Sequence, residues 1–479
     1  MNKAVKIIYA ALFFGICAVP LCAAPFVESN AEIEKKELAE MPSIVKDGSL
    51  NTDFSTEFES WYNDRLPFRS ELLTAADYVK SELLSSPAST VITGSDGYLF
   101  YDGSKADFMD TNAMSETRLR ATAVTLSLIE ENVKAKNGRF LFFCAPNKES
   151  IYGEYMPACY TKAEETNLTR LHALLSEYGV TYLDMKQVLT DNKDQGLYHK
   201  RDTHWNYLGA RLGYNAVMDA LGKEHKTYAD AAYTVTKDWR ADLDKLLYPA
   251  GDGILDDQYR FDIEWDEFEF AIPAGVEDTA AQLENFISDK EENDTRISTK
   301  NYDADGRLYM VRDSFGRALL PFMIDNYEKA MFVRTTCPEL SMVSEGGDMI
   351  YEIVERNLRN LTETAPFMFA PERSISLPAD TAGEVKRMEA KNEGYACRIY
   401  GLLPDDTDMS DGRVYVTVAN SAGAHTFEAF PVCESKMLGE ESEKAFSLMI
   451  DPALELSGEY TVTVTTGGRS YTCASKAIF

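Results

Sequence analysis

Two short segments hold residues able to do nucleophilic chemistry. Arg201-Asp202-Thr203-His204-Trp205-Asn206 places a carboxylate two residues before one of the chain's five histidines. In an extended segment residues i and i+2 project to the same side. Asp202 would then reach one ring nitrogen of His204, fix its tautomer and stabilise the imidazolium, the carboxylate's role in a Ser-His-Asp triad. Val311-Arg312-Asp313-Ser314-Phe315-Gly316 ends an apolar strand and opens a helix. A serine there stands at the carboxyl edge of a sheet, where ligands bind in open α/β folds. Its backbone N–H sits at a helix N-terminus, able to stabilise an oxyanion. Each segment also has a plain structural reading. Asn206 is well placed to cap the helix that follows it, and Asp313 or Ser314 to cap the other. Taken together, serine, histidine and aspartate on loops beside one parallel sheet are what covalent acyl transfer needs.

The elements that must position these residues alternate helix and strand. Apolar residues at three- to four-residue spacing (Leu119, Ala123, Leu126, Ile129, Val133) predict a helix over 116–136. Arg139 to Ala145 is a short continuous apolar run, as expected of a strand covered on both faces. Helices are expected at 167–178, 206–221, 315–326 and 346–360, and strands at 180–184, 308–312 and 330–335, with Phe367-Met368-Phe369 as a last short strand. This alternation predicts an α/β fold with a mainly parallel sheet between two helical layers. From about Ser374 the helical period ends. Short β-branched runs separated by Asp411-Gly412 and Gly467-Gly468 predict a C-terminal all-β sandwich. The expected organisation is a leader over 1–24, a lead segment over 25–90, the α/β domain over 91–372 and the sandwich over 373–479. Residues 262–295, strongly acidic, are expected as a surface excursion.

Lys3 and Lys6 precede an uncharged stretch from Ile7 to Ala24, after which the chain turns acidic. This is the pattern of a secretory signal. It is also long enough for a retained membrane anchor, and Cys22 admits lipidation. All three readings place the remainder outside the cytoplasm. With 48 basic against 78 acidic residues, the net charge is −30. Phosphate backbones would be repelled, so nucleic acid is not an expected partner. Six cysteines follow the leader and none forms a CxxC pair, so a zinc ribbon is not supported. Cys144 and Cys159 flank one loop and are the candidate disulfide.

The Asp-Thr-His-Trp-Asn run followed by Gly209-Ala210, with the later Arg-Asp-Ser-Phe-Gly, resembles the AlgX/AlgJ-type SGNH hydrolase-like proteins and their DHHW relatives. The Asp-x-His pair precedes the serine, as in that family. Asn63-Asp64-Arg65-Leu66-Pro67-Phe68-Arg69, Ile92 to Phe100, and Ala145-Pro146-Asn147-Lys148 with Met156-Pro157 fit as well. The similarity covers roughly residues 30–370. It implies an α/β/α fold and a triad of Ser314 as nucleophile, His204 as base and Asp202 as orienting acid. Thr203 stands where the DHHW group has histidine, which weakens a metal reading and leaves the triad intact. Asn147, just after a strand, is the candidate side-chain oxyanion donor, and a turn role competes with it. Lys148, Arg312 and Asn206 are supporting candidates. No cofactor is required. The implied substrate is an acetyl ester, with an envelope or exported glycan as acceptor and a membrane acyltransferase as a source of the acetyl group. The rival reading is a silent glycan-binding scaffold on the same fold.

Overall fold

A computed structural model of the 479-residue chain describes residues 13–14, 18–19, 22–23, 39–46, 49–51, 53–68, 90–248, 253–263, 268–271, 294–378, 381–435 and 440–478. Most of the leader, much of the 25–90 segment and most of the acidic stretch 262–295 lie outside these residues. Among the described residues no helix is long and apolar enough to cross a membrane. The chain divides into two compact units. One comprises residues 1–102, 200–203 and 237–257, and the other comprises residues 103–199, 204–236 and 258–479.

In the larger unit, helix α1 (Glu116–Ala135) begins where the Ser115 hydroxyl accepts from the Arg118 amide, and it buries Leu119, Ala123, Leu126, Ile129 and Val133. Helix α2 (Asn167–Glu177) adds Leu168, Leu171, Leu174 and Leu175. Both pack with Phe140, Phe142 and Cys144 of strand β1 (Arg139–Ala145) in one apolar cluster. The alternate residues Leu141, Phe143 and Ala145 are buried too. Helices α3 (Met185–Asp191) and α4 (Tyr207–Leu221) touch this same strand. A strand covered on both faces accounts for its unbroken apolar run.

The other strands of this sheet are β2 (Tyr182–Leu183), β3 (Phe268–Ala271), β4 (Arg296–Asn301), β5 (Arg307–Arg312), β6 (Lys329–Arg334) and β7 (Asp348–Val354). Their order is β2-β1-β7-β5-β6-β4-β3. The first five are parallel, and β4 and β3 join antiparallel. Because β1, β7 and β5 are parallel, the residues after them share one edge: Pro146-Asn147, Glu355 and Asp313-Ser314. The fold class is thus the expected one, a helix-flanked α/β sheet with a sheet-rich C-terminal region.

The expected helix over 346–360 is instead strand β7 followed by a 3-10 turn, Glu355–Thr362. All seven residues of β7 are buried between β1 and β5. A short run buried on every side carries no periodicity that distinguishes strand from helix. Phe367 forms only an isolated bridge to Glu339, not a strand. The expected Cys144–Cys159 disulfide is also corrected: both are free thiols. Cys144 lies in the core on β1, where burial pushes its thiol well up, while Cys159 is exposed in the loop beyond.

The C-terminal strands are β8 (Thr381–Glu384), β9 (Arg387–Asn392), β10 (Cys397–Leu402), β11 (Val414–Asn420), β12 (Gly423–Ser435), β13 (Glu440–Ile450), β14 (Glu459–Thr466), β15 (Arg469–Thr472) and β16 (Ala477–Ile478). The first half of β12 pairs with β11 and its second half with β13. One long strand therefore links two halves of a sheet, and an apolar core includes Val416, Val418, Phe446, Leu448 and Val464. Helix α1 packs against β12.

In the smaller unit, a hairpin of Val91–Thr93 and Leu99–Tyr101 packs Val91 and Leu99 on Leu243 and Leu247 of the helix Asp242–Leu247. The Leu99 amide donates to the Lys200 carbonyl at 2.9 Å. Arg201 donates two hydrogen bonds of 2.5 Å to Asp244, and its amide donates to Asp256 at 2.7 Å. A bidentate pair fixes direction as well as distance.

Candidate active site

Ser314 follows the last residue of β5 by two positions and opens a 3-10 turn, Phe315–Leu319. Its side chain makes no capping hydrogen bond. That task falls to Asp313, whose Oδ1 accepts from the Phe315 amide at 2.9 Å and whose Oδ2 accepts from the Val354 amide at 2.7 Å. Ser314 Oγ lies 2.8 Å from His204 Nε2. This is the separation at which a histidine takes a serine proton.

His204 leads into α4. Asn206 is the true helix cap there, its Oδ1 accepting from the Leu208 and Gly209 amides at 2.9 and 3.2 Å. The capping residues are therefore Asn206 and Asp313, close neighbours of His204 and Ser314. The His204 carbonyl accepts from the His199 amide at 3.3 Å, and Tyr198 bridges Trp205. Lys148 is buried and donates from Nζ to the His199 carbonyl at 3.2 Å, supporting the segment that carries the histidine. The buried Trp205 indole N–H donates to the Phe315 carbonyl at 3.0 Å, and the Phe315 ring lies 4.8 Å from the His204 ring. The residues that follow His204 and Ser314 are thus tied together.

Arg312 is buried and pairs with Asp294: NH1 reaches Oδ2 at 3.2 Å and NH2 donates to the Asp294 carbonyl at 2.5 Å. It serves the end of β5 rather than presenting a charge. Asn147 is buried, and its Nδ2 donates to Asp107 at 3.4 Å. Among the described residues no hydrogen bond joins it to Ser314. In the smaller unit, Asp202 is buried, and its Oδ2 accepts from the Trp239 indole at 3.0 Å and the Asp242 amide at 2.8 Å. Thr203 is held by Asp242 through its amide at 2.8 Å and its hydroxyl at 2.5 Å.

The sheet edge around Asn147 also carries acids that the sequence reading did not single out. Glu355 Oε2 accepts from the Asn147 amide at 3.0 Å and the Ser150 hydroxyl at 2.5 Å. Burial pushes Glu149 up to about 7, against a hydrogen bond from Ser104, and pushes Asp107 up to about 6, against one from Asn112. Both carboxyls are more basic in the folded protein than in the unfolded chain. Their stabilisation is full below the unfolded values, near 4, and is lost as pH rises through about 7. The rise for Glu149, from 4.5 to about 7, corresponds to on the order of 3 kcal/mol. Thermal unfolding should therefore shift several degrees lower between about pH 5 and about pH 8. Glu149→Gln should flatten part of that slope. An unchanged slope in the variant would show that Glu149 is not the titrating group.

Residues 91–249 match the family model of the AlgX acetyltransferase SGNH hydrolase-like domain. A protein named probable alginate O-acetylase AlgJ, from Pseudomonas putida, is 21% identical over 193 residues, or 39% of this chain and 48% of that protein. The match thus spans about half the length of that relative. Two solved structures also match part of the chain. A DHHW family protein from Eubacterium siraeum is 14% identical with a TM-score of 0.41, covering 56% of this chain and 95% of that one. Bacillus cereus PatB1 is 16% identical with a TM-score of 0.46, covering 56% and 96%. Over residues 91–249 the chain is thus similar to the AlgX SGNH hydrolase-like domain, and over 39% of its length to AlgJ.

Proposed function

We propose that the protein is an exported acyl-ester enzyme, an O-acetyltransferase or acetylesterase acting on an envelope or exported glycan. The observation that carries this reading is the 2.8 Å approach of Ser314 Oγ to His204 Nε2 at the carboxyl edge of the sheet. Ser314 attacks the carbonyl carbon of an acetyl ester while His204 Nε2 takes its proton. The Ser314 N–H faces the oxyanion that forms. Collapse expels the alcohol, which leaves with the proton from His204, and an acetyl-serine remains. A sugar hydroxyl or water, deprotonated by His204, then attacks the acetyl carbonyl and releases Ser314. Asp202, two residues before His204, is the orienting acid. Its Oδ2 accepts from the Trp239 indole and the Asp242 amide, which hold the carboxyl group in one orientation.

The test is turnover of a chromogenic acetyl ester by the wild-type protein and by Ser314→Ala, with and without an added glycan acceptor. Acceptor-dependent acetyl transfer identifies a transferase, and release to water alone an esterase. A folded wild-type protein with no turnover of either kind sinks this reading and leaves the scaffold.

A further inference from the structure

Four backbone amides surround the nucleophile, and their partners are unevenly shared. The Asp313 and Gly316 amides both donate to one atom, Glu352 Oε2, at 3.0 and 3.1 Å. The Phe315 amide donates to Asp313 Oδ1. Ser314's own amide has no partner among the described residues. Glu352 is the one glutamate within strand β7, fully enclosed beneath the turn. The contact is close by construction: a Cβ at Gly316 would lie 2.8 Å from Glu352 Oε2 and 2.6 Å from Arg312 Cβ.

We propose that Glu352 is a positioning residue for Ser314, one carboxyl oxygen clamping the backbone on both sides of the nucleophile so that the Ser314 N–H remains the turn's open donor. The inference rests on the acyl-transfer reading above and adds a residue to it. The titratable and charged groups that bear on Glu352 are Asp313 and Arg312 at the end of β5 and Cys144 on β1. Burial, reinforced by Asp313, holds the Glu352 carboxyl well above the usual range against the attraction of Arg312. Its Oε1 is buried without a hydrogen-bond partner, a position that suits a neutral acid better than a charge. Neutrality matters to the chemistry. A carboxylate directly under the turn would oppose the negative charge that develops at the Ser314 N–H, and a neutral acid accepts the same two hydrogen bonds without that opposition.

The experiment follows sulfonylation of Ser314 by phenylmethylsulfonyl fluoride, read by intact mass from mildly acidic to mildly alkaline pH. Ser314 Oγ displaces fluoride from sulfur, and His204 takes the proton. The wild-type rate should rise as His204 becomes neutral and fall again when Glu352 ionises. Glu352→Leu should label more slowly by on the order of 10- to 100-fold, as expected when a nucleophile loses its placement. Glu352→Gln, which keeps a neutral acceptor, should restore the neutral-pH rate and lose the alkaline fall. Should the leucine variant not fold, the pH profile of the glutamine variant decides alone. The proposal is overturned if Glu352→Leu labels at the wild-type rate, if Glu352→Gln is as slow as Glu352→Leu, or if it retains the alkaline fall. Wild-type protein labelled at Ser314 but turning over no acetyl ester would defeat the acyl-transfer reading and leave the clamp standing. Wild-type protein not labelled at Ser314 defeats both.

Discussion

Ser314→Ala should lower kcat for acetyl-ester turnover by at least about 10⁴-fold, and His204→Ala should do nearly as much. The reason is cooperative. The hydroxyl is a poor nucleophile until the 2.8 Å contact to Nε2 gives its proton a destination. The imidazole has nothing to deprotonate once the hydroxyl is gone. Each single change therefore removes the same step, and the double variant should be slower than either single by less than about tenfold. KM should move little, because neither group is assigned to ground-state binding. The check is kcat for both single variants and the double on one acetyl donor, with folding verified by circular dichroism. Losses that multiply would show two residues acting separately and would remove the nucleophile–base assignment.

Asp202→Asn is expected to lower kcat by on the order of 10²–10⁴, with the fold kept. Asp202 Oδ2 accepts from the Trp239 indole and the Asp242 amide, both strict donors. An asparagine oxygen would take that place to preserve both hydrogen bonds. Its NH₂ must then occupy the position of the other carboxylate oxygen. If Asp202 orients His204, a donor now stands where the imidazole needs an acceptor, and the ring is held in the wrong tautomer. In a serine protease this swap lowers kcat by about 10⁴-fold. The measurement is kcat against pH for Asp202→Asn beside the wild type. Near-wild-type activity across the range would confine Asp202 to holding its own loop.

How much of this the sequence disclosed depends on where the information lies. The segment around His204 was legible because Asp-x-His and a helix cap are local patterns. The Ser314 turn was legible because an apolar run ending in Asp-Ser-Phe-Gly marks a strand giving way to a helix. Helices α1, α2 and α4 announced themselves by spacing. Strand β7 did not. Asp-Met-Ile-Tyr-Glu-Ile-Val is buried on both faces by partners more than 30 residues away in β5 and some 200 away in β1, and such burial leaves no local period. The signal that was present, one glutamate inside an apolar run, could not be used while the run was read as a helix. The cysteine pairing failed for a related reason: Cys144 lies on the core face of β1, and closeness along the chain says nothing about side-chain direction.

The position of β7 beside β1 also governs how the molecule assembles. Arg139 pairs with Asp348 and Ala145 with Val354, so the middle of the sheet joins residues 209 positions apart. Closing so large a loop comes before any reward from the pairing, which makes this step slow compared with forming α1 or α2. A chain emerging from a ribosome can form those helices early. It cannot complete the central strand pair until Val354 has been made, and until then the apolar faces of β1 and β5 have no partner between them. Such a chain stays open through most of its own synthesis, the state in which threading through a narrow translocation channel meets least resistance, and in which a holding chaperone has most to shield.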